Sequence, residues 1–180
     1  MAEGGGVAAL SAALIERIFA STGPLAERVP GYKPRPQQVE FALRVLETIE
    51  RTGMLVAEAG TGTGKTFAYL VPALLAGGKV IVSTGTKTLQ DQLFDRDLPA
   101  VRDALTSGAR LALLKGRANY VCHHRLERAL AEARLGSREE AAQLRSIRAF
   151  SATSRTGDRA DLAQVPENAA VWMHATSTRE

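Results

Sequence analysis

Residues Glu58 to Thr66 read Glu-Ala-Gly-Thr-Gly-Thr-Gly-Lys-Thr, directly after the apolar run Met54-Leu55-Val56-Ala57. Glycine at 60, 62 and 64 removes Cβ atoms at alternate positions, so the backbone is free to take positive φ and to gather several N–H groups around an anion. Lys65 adds a mobile ammonium suited to the β and γ phosphates of a nucleotide, and the Thr66 hydroxyl falls where a Mg²⁺ ligand is needed. From Thr66 to Ala76 the apolar residues Phe67, Leu70, Val71, Leu74 and Leu75 have helical spacing, which points a helix N-terminus at the phosphates. Pro72 interrupts that run and marks a place where the helix can bend. A strand, a glycine-rich loop and a helix in this order predict an α/β fold that binds ATP or GTP through Ala59, Gly60, Thr61, Gly62, Thr63, Gly64, Lys65 and Thr66. Ala59 stands where the strict pattern has glycine, and alanine fits there if its φ is negative. The competing reading is a plain glycine-rich turn between a strand and a helix.

With 180 residues and 45% hydrophobic content the chain has enough material for one sizeable domain. No apolar stretch approaches the roughly 18 to 20 residues that span a bilayer, so no membrane role is expected. Met1 to Gly6 lacks the basic-then-apolar layout of a signal peptide, which makes the cytoplasm the expected compartment. Cys122 is the single cysteine, which excludes an internal disulfide. Residues 1–109 hold 11 Lys+Arg and 11 Asp+Glu, whereas 110–180 hold 12 against 8, so the whole net charge of +4 lies in the C-terminal part. A basic half suits an anionic partner, and it suits a solvated arginine-rich helix face equally well.

Periodicity and punctuation divide the chain. Val7 to Ala20 predicts an amphipathic helix, with Leu10, Leu14, Ile15 and Ile18 on one face. A linker from Pro24 to Pro36 holds four prolines and Tyr32. Pro36 then opens a helix over Gln37 to Arg51 with Val39, Ala42, Leu43, Leu46 and Ile49 on its apolar face. Lys79-Val80-Ile81-Val82-Ser83 reads as a buried parallel strand, and Arg110 to Leu114 as a further one, with a helix over Leu89 to Leu105 between them. Strands separated by helices imply a parallel sheet. Beyond Lys115 the pattern becomes helical, over Asn119 to Leu135 and Arg138 to Phe150, followed by a polar stretch from Ser151 to Glu167 without a clear period.

A hydrolytic phosphate-loop enzyme needs an acidic residue at the end of a second buried strand, to hold Mg²⁺ and orient water. Here Val80 to Ser83 runs into Thr84-Gly85-Thr86, and Leu111 to Leu114 into Lys115-Gly116. Asp91, Asp95, Asp97 and Asp103 fall on a predicted helix, and Asp158 and Asp161 in the tail, so no aspartate closes a buried strand. The expectation is an N-terminal piece of a longer enzyme, too incomplete to hydrolyse a nucleotide efficiently by itself.

Several segments together resemble the DinG/XPD-type iron-sulfur helicases of superfamily 2, most closely the bacterial DinG-like branch, over roughly residues 30–180. Arg35-Pro36-Gln37-Gln38-Val39-Glu40-Phe41 is similar to the adenine-recognising Q-motif, with Gln38 as its glutamine. Glu58 to Thr66 matches that branch's phosphate loop, which also tolerates Ala59. Val82-Ser83-Thr84-Gly85-Thr86 followed by Leu89-Gln90-Asp91-Gln92 resembles motif Ia, which touches the DNA backbone in such helicases. Leu114 to Cys122 resembles the approach to the first cluster cysteine, and Thr156 to Leu162 with Trp172 to Arg179 resembles the segment before the second.

The resemblance implies a partial RecA-like domain with a parallel sheet over residues 1–114, and over 115–180 the beginning of an iron-sulfur, mainly helical insertion. It also implies an ATP-dependent DNA helicase moving 5′ to 3′ on single-stranded or forked DNA. Its cofactors would be ATP, Mg²⁺ and a 4Fe–4S cluster, with Thr66 as Mg²⁺ ligand and Cys122 as one cluster ligand whose companions lie outside this chain. Thr84, Thr86, Gln90 and Arg117 would meet DNA.

Each assignment has a simpler alternative in the residues themselves. Gln38 carries the donor and acceptor an adenine edge requires, or is a solvated glutamine. Thr84 and Thr86 hold phosphates or cap a turn. Cys122 is a ligand or a small buried hydrophobe, and His123 and His124 read as surface residues. Of other functions, a phosphate-loop kinase or a nucleotide-binding regulatory module would fit the loop alone.

Overall fold

Ser11 opens the first helix by accepting a hydrogen bond from the Leu14 N–H at 3.2 Å, and α1 runs Ala12–Ile18. The structure is a computed structural model that describes residues 11–60, 62–132 and 137–177. Residues 7–10 of the predicted first helix lie outside them. The proline-rich linker contains an element that periodicity missed, a one-turn helix α2 (Pro24–Arg28). Pro24 at its first position presets φ, and Leu25 is completely buried. Gly23 is required just before it, because a Cβ there would lie 2.2 Å from the Arg17 carbonyl oxygen.

Pro36 begins α3 (Pro36–Glu50), after Arg35 in an extended conformation. Helix α4 (Lys65–Ala76) follows the glycine-rich loop and packs along α3. Pro72 sits inside α4 without ending it; its buried ring occupies the face against the core, where packing offsets the missing N–H. The helix expected over Leu89 to Leu105 begins earlier and is divided. Thr86 caps α5 (Lys87–Gln92) by accepting from the Leu89 N–H, a widened turn covers Leu93–Asp97, and α6 (Leu98–Ala104) follows with Pro99 in its first turn. The widened turn absorbs the proline, and buried Asp97 accepts from Arg96 Nε at 2.9 Å and Gln92 Nε2 at 3.1 Å within it.

The chain separates into two compact units, 1–112 and 113–180. In the first, Ile15, Ile18, Phe19, Leu25, Ala42, Leu46, Ala68, Leu70, Val71 and Val101 form one apolar core. The parallel sheet expected beside these helices is not formed among the described residues. Residues 54–57, 79–83 and 110–114 run without forming ladder strands, and Met54, Val56 and Ile81 are each more than 85% exposed. A strand is held by a neighbouring strand that takes up its N–H and C=O groups along a ladder. Val82 alone turns inward onto the core helices.

The second unit also differs from the helical expectation at its start. The predicted helix from Asn119 gives way to a tight turn over Arg117–Asn119, and Tyr120 and Val121 form isolated antiparallel bridges to Asp158 and Thr176. Those bridges hold the backbone extended, so α7 (His123–Glu132) starts only after Cys122. Leu135, the predicted helix end, lies outside the described residues. Ser137 caps α8 (Arg138–Thr153) by accepting from the Glu140 N–H, with Glu139 and Glu140 in the first turn favouring the helix dipole. Of the stretch without a clear period, Ser151 to Glu167, the first three residues finish α8 and the rest is a chain of caps and turns. Asp158 caps Arg159–Asp161 and also meets the Lys115 ammonium at 2.8 Å, with both side chains nearly buried. The short helix α9 (Trp172–Ala175) closes the unit over a core of Leu126, Leu144, Ile147, Val165, Val171 and Trp172. Among the described residues no helix is long and apolar enough to cross a membrane.

Candidate nucleotide-binding site

The loop from Ala59 to Gly64 joins an apolar run to the N-terminus of α4, as its glycines require. Gly64 takes φ +79° and forms the N-cap of α4 with no side chain capping the helix. The first-turn N–H groups therefore face the loop without a side-chain acceptor, a ready anion site at the positive end of a twelve-residue helix. The Lys65 ammonium folds back over the loop and donates to the carbonyl oxygens of Ala59 and Gly60, the latter at 2.7 Å. Thr63 Oγ1 donates to the Gly60 carbonyl at 3.0 Å, so the loop is braced by its own side chains. Burial raises the Tyr69 pKa, with the neighbouring Thr66 hydroxyl acting against it and the Asp97 charge adding to it. Thr61 lies outside the described residues.

Gln38 is the residue this geometry changes most. Its side chain is 3% exposed, so it is not a solvated glutamine. Its Nε2 donates to the Gly64 carbonyl at 2.9 Å, and its Oε1 accepts from the Tyr32 hydroxyl at 3.1 Å. Tyr32 also stands 3.0 Å from the Phe19 carbonyl oxygen, at the end of α1. Burial pushes the Tyr32 pKa up to about 12, which keeps its hydroxyl a neutral donor at any physiological pH. Sequence reasoning placed Tyr32 in a linker and missed it. The available signal was an aromatic residue with a polar tip held between Pro30 and Pro34, six positions before Gln38.

This contact makes Gly64 intolerant of substitution for two reasons. A Cβ there would lie 2.0 Å from Gln38 Nε2 and 2.9 Å from its Cδ, and the left-handed φ is unfavourable to any L side chain. Gly64→Ala is expected to lower stability by about 1–2 kcal/mol and to weaken nucleotide binding about tenfold. Thermal melting and a nucleotide titration check it, and wild-type values for both would show that the Gln38 contact imposes no constraint.

The remaining sequence candidates fall elsewhere. Thr86 Oγ1 is the cap of α5, and Thr84 Oγ1 donates to the Thr86 carbonyl at 3.4 Å, so the capped turn is present. Thr84, Thr86 and Gln90 belong to the first unit and exposed Arg117 to the second. Cys122 is half-buried immediately before α7, with its N–H donated to the Ala175 carbonyl at 2.7 Å and its own carbonyl accepting from Leu126. Among the described residues no three His, Cys, Asp or Glu side chains are grouped to hold a metal ion. One thiol is a single ligand, and an iron-sulfur cluster takes four, so this chain alone does not fit a cluster.

The DEAD/DEAH box helicase family matches residues 38–119, a span that begins at Gln38 and includes the whole loop. Over 166 residues, 92% of this chain, the sequence is 46% identical to the ATP-dependent DNA helicase YoaA of Haemophilus influenzae. The chain carries part of a DEAD/DEAH box helicase domain and is similar to the DinG-like helicases. It is also 47% identical to the ATP-dependent helicase DinG of Mycobacterium tuberculosis over 53% of its length. A third relative, the 3′-5′ exonuclease DinG of Bacillus subtilis, is 37% identical over 60% of the chain. The chain spans about a quarter of the length of YoaA, and 16% and 12% of the two DinG proteins. The Gln38–Gly64 bond lies inside the span matched by the helicase family.

Proposed function

We propose that this chain is the nucleotide-cradling first part of an ATP-dependent DNA helicase. The observation that carries the proposal is the direct bond from Gln38 to the N-cap carbonyl of α4, which brings the side chain suited to a base edge to the loop suited to phosphates. A phosphate-loop kinase needs no such glutamine. The sequence similarity favours the same reading, since several relatives carry the name helicase.

In this reading Gly60, Gly62, Gly64 and the first turn of α4 surround the phosphates, and Lys65 exchanges its carbonyl partners for β and γ oxygens. The Thr66 hydroxyl would be the loop's ligand to Mg²⁺. When bound, the metal neutralises the charge that develops on the transferred phosphoryl group. The exposed apolar faces of residues 54–57, 79–83 and 110–114 become strands of a RecA-like parallel sheet once neighbouring strands from the rest of the protein pair with them. Thr84, Thr86 and Gln90 follow one such strand and supply backbone contacts to single-stranded or forked DNA, with travel 5′ to 3′, and Arg117 adds a phosphate contact. The domain reading is residues 1–114 as the start of the motor and 115–180 as the start of an iron-sulfur insertion. There Cys122 supplies one cluster ligand and residues outside the chain supply the others. The cytoplasm is the compartment that suits this work.

The test is steady-state ATP hydrolysis by the full-length protein with and without single-stranded DNA. Stimulation of at least about tenfold by DNA is expected for a translocating motor, a difference of about 1.4 kcal/mol in the barrier. Turnover indifferent to DNA, or phosphate passed to a small acceptor, would remove the helicase reading.

A further inference from the structure

The Tyr32 hydroxyl has one proton and faces two acceptors, the Phe19 carbonyl at 3.0 Å and Gln38 Oε1 at 3.1 Å. On the other side of the same amide, the Gly64 carbonyl can only accept, which assigns Nε2 to that side and Oε1 to Tyr32. A planar amide held by one bond can pivot about it. Held at both ends, by donation to Gly64 and acceptance from Tyr32, it has a fixed plane and a fixed sense.

Counting what remains decides what that amide can read. Gln38 offers two N–H groups and two lone pairs on Oε1, and the two bonds use one of each. One N–H and one lone pair are left. The N7 and exocyclic N6 edge of adenine presents one acceptor and one donor, which matches, whereas guanine presents acceptors at both N7 and O6. The unused Oε1 lone pair would then face O6, acceptor against acceptor.

We infer that Tyr32 is a positioning residue for base selection, fixing the Gln38 amide so that its unused donor and acceptor favour adenine over guanine nucleotides. The inference rests on the reading that Gln38 meets the base. Tyr32 itself does not touch the nucleotide. Because its hydroxyl also reaches the end of α1, the Tyr32 O–H can swing from Oε1 to the Phe19 carbonyl if the amide turns, and still donate a hydrogen bond.

The experiment compares ATP and GTP affinities of the full-length protein as wild type, Tyr32→Phe, Gln38→Ala and the double variant, by titration with each nucleotide. Tyr32→Phe is expected to weaken ATP binding about 3- to 10-fold, the range one neutral hydrogen bond supports, with GTP affinity unchanged. In the Gln38→Ala background the same substitution should have no further effect, since the coupling requires both partners. Placing 4-aminophenylalanine at position 32 supplies protons for both acceptors, and should restore adenine preference even if Tyr32→Phe itself folds poorly.

Equal loss of ATP and GTP affinity in Tyr32→Phe, loss that persists in the Gln38→Ala background, or no rescue by the amino side chain would each make Tyr32 a packing residue only and overturn the inference. Unchanged ATP affinity in Tyr32→Phe would overturn it as well, leaving the role of Gln38 intact. If Gln38→Ala keeps the full ATP preference, the base-reading role of Gln38 fails first and the inference falls with it.

Discussion

Lys65→Ala is expected to reduce nucleotide hydrolysis by the full-length protein on the order of 100-fold or more, the scale on which removing one oriented donor from a developing charge acts. Stability should change by less than about 1 kcal/mol. The physical reason for the split lies in the partners of the side chain. The ammonium is bonded to the carbonyls of Ala59 and Gly60, which are part of the loop and not of the apolar core. Neutral carbonyls are weaker partners than phosphate oxygens carrying full charge, so the exchange on binding is downhill. Steady-state hydrolysis with saturating single-stranded DNA, alongside thermal melting, separates the two effects. Turnover within about twofold of wild type would mean that this loop is not the phosphate site.

The largest stability effect is expected in the second unit, from Trp172→Ala. Trp172 is 3% exposed, packs with Leu126, Leu144, Ile147 and Val171, and donates from Nε1 to the Pro166 carbonyl at 2.9 Å. The Arg159 guanidinium lies 6.0 Å from the ring centroid. Truncation to alanine removes the ring from the core and leaves a cavity, a loss of about 3–5 kcal/mol. A loss on that scale is a large part of the margin of an ordinary domain, so this unit should be strongly destabilised. Limited proteolysis of the full-length protein checks it, with cleavage expected within 113–180. Resistance equal to wild type would show that the core does not depend on the indole. Trp172 is the single tryptophan of the chain, so its fluorescence in the wild-type chain reports this unit alone.

How much of this was legible in the sequence varies with the kind of signal. The loop and the helix after it were plain, because phosphate binding needs glycines, a lysine and a hydroxyl at fixed offsets along one stretch. Helices α3 and α8 were read nearly to their ends for a related reason, since apolar periodicity and a capping or proline start are local features. The start of α7 was misread because Tyr120 and Val121 are held extended by Asp158 and Thr176, residues distant along the chain. The one-turn helix α2 was missed, being too short to show a period. The three apolar runs at 54–57, 79–83 and 110–114 were read as strands from composition, and among the described residues they form no ladder strands. Whether such a run becomes a strand depends on a neighbour, and no local pattern contains one.

By itself the sequence determined that this chain carries a phosphate-type loop at the start of a helix, and that a glutamine stands upstream at Gln38. It could not say whether that glutamine is solvated or built into the site. Only the tertiary structure decided it, by packing α3 along α4 so that Gln38, 26 positions before Gly64, is buried against the loop and held from behind by Tyr32. The reason is one of range. Backbone conformation and helix starts follow from neighbouring residues, whereas the partner of a buried amide is chosen by which elements meet, and Gln38 must bond whatever the packing places there because a buried polar group left unpaired costs several times what the bond contributes.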